Sequence, residues 1–407
     1  MLCFLLFLCF FEKKGELQSD DIAETNLDDS IRNKENESLE QMEKGYNLPV
    51  IDSEREEAET DCIRMMEVIS DIYMCADKGE VSNVSLSDKT MQSMQDEIKK
   101  TKEAIRTKVI YSNMENYESV DVFLNNCLGG ISGSVIVYEI HFDGSIGRMK
   151  FVFDGTNMYV LNVCAMWNKK AKPDIIYATY TRIKEWSYTD KGWFCYEVCV
   201  PEPPEVSEIV DGSCLIRVKP MTGEQREMSE KCVLEVGYQG NNLLCSNWDM
   251  EHMEGLDYTG MYEYLYRMKY EQQFKYDDYL QGIPKDDFEN LIMEYLPITA
   301  EQIREYAVFD EKYQTYEWTR LGCLNYAPTF FGTSMPEVTD IIENEDGTVT
   351  LTVDAVCEMI LCDDAVITHE LTIRFKDDGS FQYCGNKILN NGIEYIPRYQ
   401  YRIDKQP

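Results

Sequence analysis

The apolar positions of this chain switch between helical and stranded periods, and the switches lay out its elements. Cys62, Met66, Ile69 and Tyr73 fall at i, i+4, i+7 and i+11, one face of a helix, with Gly79 placed to stop it. Ser87 is a good N-cap for a second amphipathic helix, whose apolar side would carry Met91, Met94, Ile98 and Ile105. The methionine stripe reads as core. A shorter helix, Glu118–Leu128, places Val120, Phe123, Leu124 and Cys127 inward and stops at Gly129 and Gly130.

The period then becomes two. Ser134–His141 is followed by Asp143-Gly144 and Met149–Phe153 by Asp154-Gly155, and Met158–Val163 continues the alternation. Asp-Gly readily supplies the positive φ angles of a tight hairpin turn, so these segments predict an antiparallel meander. Ile176–Trp186 and Trp193–Val200 form another pair, Pro201–Glu205 forces an extended link, and Ser213–Lys219 adds a last strand before Pro220. Helical spacing returns with Met261, Leu265 and Met268, and again with Phe288, Leu291, Ile292 and Tyr295 between Pro284 and Pro297. Thr299 and Gln302 match a capping box ahead of Ile303 and Tyr306. Val338–Asn344, Thr348–Leu361, Ala365–Phe375 and Ser380–Ile388 predict four further strands, turned by Glu345–Gly347 and Asp377–Gly379.

Helices followed by a meander, twice over, imply an α+β protein of two domains, 61–222 and 223–395, with a tail at 396–407. Each would pack helices on an antiparallel sheet, the second in the manner of a cystatin or nuclear-transport-factor cone. Such architectures host enzymes, binders and inert modules alike.

The N-terminus adds an address. Met1–Phe11 is an apolar run containing Cys3 and Cys9, and residues 12–60 are acidic and almost free of aromatics. This predicts an export or anchoring segment on a disordered tether. The run is too short to span a bilayer of about 30 Å, which needs roughly 20 helical residues. It suits a signal-peptide core, yet its first charges follow it instead of preceding it, so either the true start lies upstream or the segment is something else. Cys9 is a candidate lipid anchor, the alternative being a signal peptide whose cysteines are incidental. Membrane contact is expected only through this segment.

Charge narrows the partners. With 74 Asp and Glu against 39 Lys and Arg, the net charge is −35 and the pI near 4.4, which disfavours nucleic acid and anionic lipid. The 15 cysteines do not read as a disulfide framework. Cys195 and Cys199 would lie about 13 Å apart along one strand, beyond the roughly 7 Å a bridge allows. Cys164, Cys232, Cys245 and Cys357 sit among aliphatic residues as small hydrophobes, so most are expected as free core thiols, as an exported protein in an anaerobic habitat could keep them. Cys357 and Cys362 are the one candidate local bridge. No Cys-x-x-Cys occurs, and neither a metal site nor a cofactor is expected.

Catalytic motifs are missing as well. The three histidines, His141, His252 and His369, lie in separate settings, and His369 and Glu370 alternate to opposite faces of a strand. No nucleophile elbow, zinc helix or phosphate loop is present. A carboxylate pair needs no motif and stays open. For binding, Tyr262, Tyr266 and Tyr270 recur every four residues as an aromatic ridge, with Tyr258, Tyr276 and Tyr279 nearby. Asn242 and Trp248, in the polar stretch from Gln239, are the second candidate.

Several irregular strings carry a family resemblance: Tyr180–Trp186, Lys191–Glu205, Gly240–Trp248, Glu343–Val353, Thr368–Thr372 and Gly379–Tyr383. They resemble a family of uncharacterised exported or lipoprotein-like bacterial proteins of Firmicute type, a domain of unknown function, over roughly residues 60–395. The resemblance implies an exported location and no activity. The expectation is therefore a non-catalytic extracytoplasmic binding or scaffolding protein of the bacterial cell envelope, with a peptide, glycan or envelope protein as partner. The alternative is a hydrolase using a carboxylate pair in a C-terminal cone-shaped pocket.

Overall fold

The computed structural model describes residues 41–79, 83–275, 281–319, 331–359 and 363–398. Met1–Lys44 and Gly45–Pro407 are separate compact units, and the four described residues of the first, 41–44, are helical. Met1–Phe11, Cys9 among them, Tyr276, Tyr279 and Cys362 lie outside the described residues.

The folded body begins earlier than residue 61. Gly45 O accepts from Arg182 N at 2.6 Å and Leu48 N donates to Tyr180 O at 2.9 Å, so this stretch lies along a strand. Helix α1 then runs Asp52–Val68, where Ala58, Cys62, Met65 and Met66 are buried. A single apolar residue, Ala58, marks the first turns amid acids that face water, which is why the pattern shows the helix only from Cys62. A short α2 (Ser70–Cys75) follows. Helix α3 (Asp88–Lys99) is capped as expected, Ser87 Oγ accepting from Thr90 N at 3.2 Å. The helix does not reach Ile105. Lys102 turns left-handed at φ 67° and the chain re-enters as strand β1 (Ala104–Thr107). Helix α4 occupies Glu118–Leu128, with the four expected side chains buried and Gly129 as its C-cap.

Strands β2 (Gly133–Ile140), β3 (Ile146–Phe153), β4 (Met158–Trp167), β5 (Pro173–Tyr188), β6 (Trp193–Val198) and β7 (Ser213–Arg217) form an antiparallel meander in chain order. β1 adds to β2 in parallel, Arg106 opposite Glu139, with α4 as the crossover. The turns at Gly144 (φ 77°) and Gly155 (φ 103°) use the conformation that Asp-Gly predicts.

Alternation gives this sheet two apolar faces. Tyr138, Ile140, Ile146, Leu161 and Val163 pack under α1 and α3. Arg148, also on that side, holds Asp61 of α1 at 3.0 Å. Val135, Val137, Phe151, Phe153, Phe194 and Ile216 gather around Phe123 and Leu124 of α4 on the other face. The sheet curls around that second face until its edges approach: Arg106 Nη1 on β1 donates to Leu215 O on β7 at 3.1 Å.

The remaining chain surrounds a second sheet. α5 (Gly223–Met228) opens on a capping box from Thr222 and Gln225 and runs into a π-helical turn, Ser229–Val233. β8 (Trp248–Asp249), β12 (Met335–Glu343), β13 (Val349–Val356), β14 (Ala365–Phe375) and β15 (Phe381–Ile388) make a five-stranded antiparallel sheet in the order β12-β13-β14-β15-β8. It packs on α6 (Tyr258–Tyr270) and α7 (Lys285–Tyr295) through Leu351, Val353, Leu371, Ile373 and Tyr383. α8 (Ala300–Tyr306) starts at the Thr299–Gln302 capping box. Beside α7, β9 (Ile283–Pro284), β10 (Phe309–Asp310) and β11 (Thr315–Tyr316) form a small sheet. The whole is α+β.

The two large sheets meet through charge. Arg217 of β7 pairs with buried Glu337 of β12, and Lys191 of the β5–β6 turn lies 2.7 Å from Asp354 and 3.5 Å from Asp364. Asp354 also accepts from Thr368 Oγ at 2.6 Å, and Tyr111 donates to Pro336 O.

Candidate functional site

Charged side chains converge inside the curl of the first sheet. Glu139 shares its face with Val135 and Val137, so its carboxylate points toward the enclosed side, where one end of the sheet is polar instead of apolar. Arg106 Nε lies 2.9 Å from it, Lys108 Nζ 3.4 Å and His141 Nδ1 3.5 Å. Burial by itself would raise the Glu139 pKa, but Arg106 and Lys108 outweigh it and hold the carboxyl near 2, ionised at neutral pH. Burial pushes His141 down more than Glu139 pushes it up, so that imidazole is neutral. Gly147, on β3, makes room for the ring: a Cβ there would sit 3.1 Å from His141 Nε2.

Neutral hydroxyls and thiols flank this centre on two sides. Tyr196 of β6 and Cys214 of β7 interact with each other, and both feel Glu139. On the opposite wall the Cys164 thiol interacts with Ser145 and Tyr177. Burial raises the pKa of all four of these tyrosines and cysteines, so they stay protonated. The arrangement can bind a polar group between two cations and a ring of neutral donors. Its own thiols, Cys164 and Cys214, are held in the protonated form and so are not activated as nucleophiles, and burial likewise pushes up Cys62, Cys127, Cys232, Cys245 and Cys384 elsewhere.

The candidates from the tyrosine pattern take other positions. Tyr262 is buried and stacks on Phe288 with centroids 5.0 Å apart. Tyr266 packs on Phe274 at 5.3 Å and on Tyr270 at 4.6 Å, and Tyr270 is the exposed member. Asn242 pins its loop, its Nδ2 donating to Gly255 O at 2.9 Å and its Oδ1 accepting from Asp257 N at 2.7 Å. Trp248 is buried and its Nε1 donates to Leu243 O at 2.8 Å. The structure therefore joins Tyr262, Tyr266 and Tyr270 in one ridge and places Asn242 in a separate loop that leads to the buried Trp248 at the start of β8.

Carboxylates do pair in the second half. Glu337 and Asp354 face each other across β12 and β13, both almost wholly buried. Burial raises Glu337 while Arg217 opposes. Arg217, Lys191 and Thr368 occupy this pair, which makes it part of the seam between sheets. Glu289 is likewise taken up by Arg304, at 2.8 and 3.1 Å, and by the Tyr316 hydroxyl at 2.9 Å. His369 is fully enclosed. Its Nδ1 lies 2.6 Å from Asn386 Oδ1 and its Nε2 2.8 Å from the Tyr238 hydroxyl. Cys62, Cys127, Cys164, Cys199, Cys232, Cys245 and Cys384 are free and buried, so the core-thiol reading holds for them, whereas Cys75 is exposed and Cys214 half-buried. Among the described residues no group of three or more His, Cys, Asp or Glu is placed to hold a metal ion, and no helix is long and apolar enough to cross a membrane.

Fold and site together define an α+β protein with a polar centre inside a curled sheet. The chain belongs to a family described as "Family of unknown function (DUF6070)", whose model matches residues 55–402. Comparisons with curated proteins and with solved structures return no match.

Proposed function

We propose that this protein is a non-catalytic binding or scaffolding protein of the bacterial cell envelope, exported by its N-terminal apolar segment and held there through Cys9 or released after cleavage. One observation carries the binding half of this reading. The Arg106–Lys108–Glu139–His141 cluster combines converging charge with partial access to solvent, whereas the paired acids of the second sheet are buried and engaged. Binding needs the first arrangement. Hydrolysis by a carboxylate pair needs two accessible acids at a shared opening, and Glu337 and Asp354 are about 1% exposed each. The location half rests on the apolar run Met1–Phe11 and on the family resemblance.

Cell fractionation with intact-mass analysis of the mature chain tests the address. A lipid-modified or cleaved N-terminus in the envelope fraction is expected, and a cytosolic protein retaining Met1 refutes it. A glycan and peptide screen, read by hydrogen exchange, tests binding: protection of β1, β2 and the exposed Tyr270 surface is compared, and hydrolysis of any screened ligand overturns the non-catalytic reading.

A further inference from the structure

Lys108 is the informative residue of the inner cluster. Among the described residues its ion-pair partner is Glu139, at 3.4 Å, and that same carboxylate is already bound more closely by Arg106. An ammonium has three donors, so Lys108 retains capacity. Its side chain is about one-quarter exposed, against under one-tenth for Glu139, so it stands on the solvent side of the buried acid. Two further acids are near, but neither meets the cations directly. Asp143 Oδ1 accepts from Ser145 N and Oγ at 2.9 and 2.6 Å, and Glu358 is exposed.

We propose that the inner end of the first sheet binds a small ligand through a single carboxylate, seated on Lys108 and Arg106 beside Glu139, with an apolar body directed to the rim. This assignment rests on the binding reading above and names its ligand class. Three observations carry it. The cluster holds one more cation than anion at contact distance, which matches a monoanion; a phosphate dianion would meet Glu139 with excess negative charge. Arg106 gives Nε to Glu139 and Nη1 to Leu215 O, which leaves Nη2 beside the remaining Lys108 donors to meet a second carboxylate. Phe142, directly after His141, and Met166, two residues beyond Cys164 on the same side of β4, are exposed large apolar residues at this end of the sheet. On a chain of net charge −35 an anion finds few places to settle, and this enclosed pair of cations is one.

Phenylacetate is a suitable probe, with phenylacetamide as its uncharged isostere and inorganic phosphate as the competing anion. Calorimetric titration of the full chain near pH 7 should give one saturable site for phenylacetate and none for phenylacetamide. Lys108→Met should weaken phenylacetate about ten-fold or more, and Lys108→Arg should restore most of the affinity. Lys184→Met, which removes an exposed cation paired with Glu197 outside the cluster, should leave affinity unchanged. Equal binding of acid and amide, tighter binding of phosphate, or undiminished affinity in a folded Lys108→Met protein overturns the assignment. The acid-against-amide comparison uses the unaltered chain, so it decides even if the variant misfolds. If no carboxylate binds but a neutral ligand from the screen protects β1 and β2 from exchange, the ligand class falls and the binding reading stands. If phenylacetate binds to a protein that fractionates with the cytosol, the address falls and the site stands.

Discussion

Protonation of His369 should destabilise the fold over a defined pH window. Asn386 Nδ2 donates to Leu244 O at 3.2 Å and Ser246 O at 2.8 Å, which leaves Oδ1 as acceptor toward His369. The ring proton therefore sits on Nδ1, and Nε2 accepts from the Tyr238 hydroxyl. A second proton would have to displace that bond in a site with no water access. Burial lowers the His369 pKa from its ordinary 6.5 to about 4. Between those values the unfolded chain binds a proton that the native chain refuses, so stability rises with pH across the window. The contribution is complete above about 6.5 and is lost as pH falls through about 4. Its size is about 3 kcal/mol, with a slope approaching 1.4 kcal/mol per pH unit. Urea unfolding of the wild type and of His369→Gln, measured from about pH 7.5 down to about pH 4, isolates it. The variant should be less stable at neutral pH, by about 1 to 3 kcal/mol, yet its profile should be flatter through the window by about 3 kcal/mol. His141, depressed by burial, and His252, raised by Asp249, titrate nearby with opposite signs, but both are present in each protein and cancel in the comparison. Parallel profiles would refute the account of His369.

The other predictions concern packing and charge. Arg217→Met strands the buried Glu337 and should cost about 3 to 5 kcal/mol in denaturant unfolding, and Glu337→Gln added to it should recover part of that loss. Gly192 has φ 90° and a Cβ there would lie 2.3 Å from Lys219 Cβ, so Gly192→Ala should destabilise by more than about 1 kcal/mol, while Gly223→Ala, where the space is open, should change thermal stability by less than about 0.5 kcal/mol. Thr299→Ala removes the α8 cap and should cost about 1 kcal/mol, and Thr299→Ser should restore it.

Elements whose signals are local were legible in the chain. Ser87, Gly129, Thr299 and the Asp-Gly turns act within a few residues of themselves, so their chemistry does not wait for the tertiary fold. β1 was not legible, because Ala104–Thr107 is four residues long, follows a lysine-rich helical end and finds its partner only through a crossover. Ile105 fits the apolar face of α3 by spacing and instead pairs with Tyr138. The inner cluster was hidden for the same reason: Arg106 and Glu139 meet through β-pairing across a long stretch of sequence. The alternation Val135, Val137, Glu139, His141 did hold a clue, an acid and a histidine continuing an apolar face. The tyrosine ridge shows the converse limit. A four-residue spacing places Tyr262 and Tyr266 on one side of a helix without saying whether Phe288 and Phe274 will cover that side, as they do.

The charged seam between the sheets bears on how the chain is made. Synthesis delivers Lys191 and Arg217 before Glu337, Asp354 and Asp364 exist, so the two cations meet no acid of this seam until β12 and β13 are made. The later half depends on those cations, because three acids drawn together without a counterion repel one another. A permuted chain translating residues 223–398 first would have to gather those acids before their cations exist, and stopped-flow refolding and light scattering should show it folding more slowly and aggregating more than the natural order.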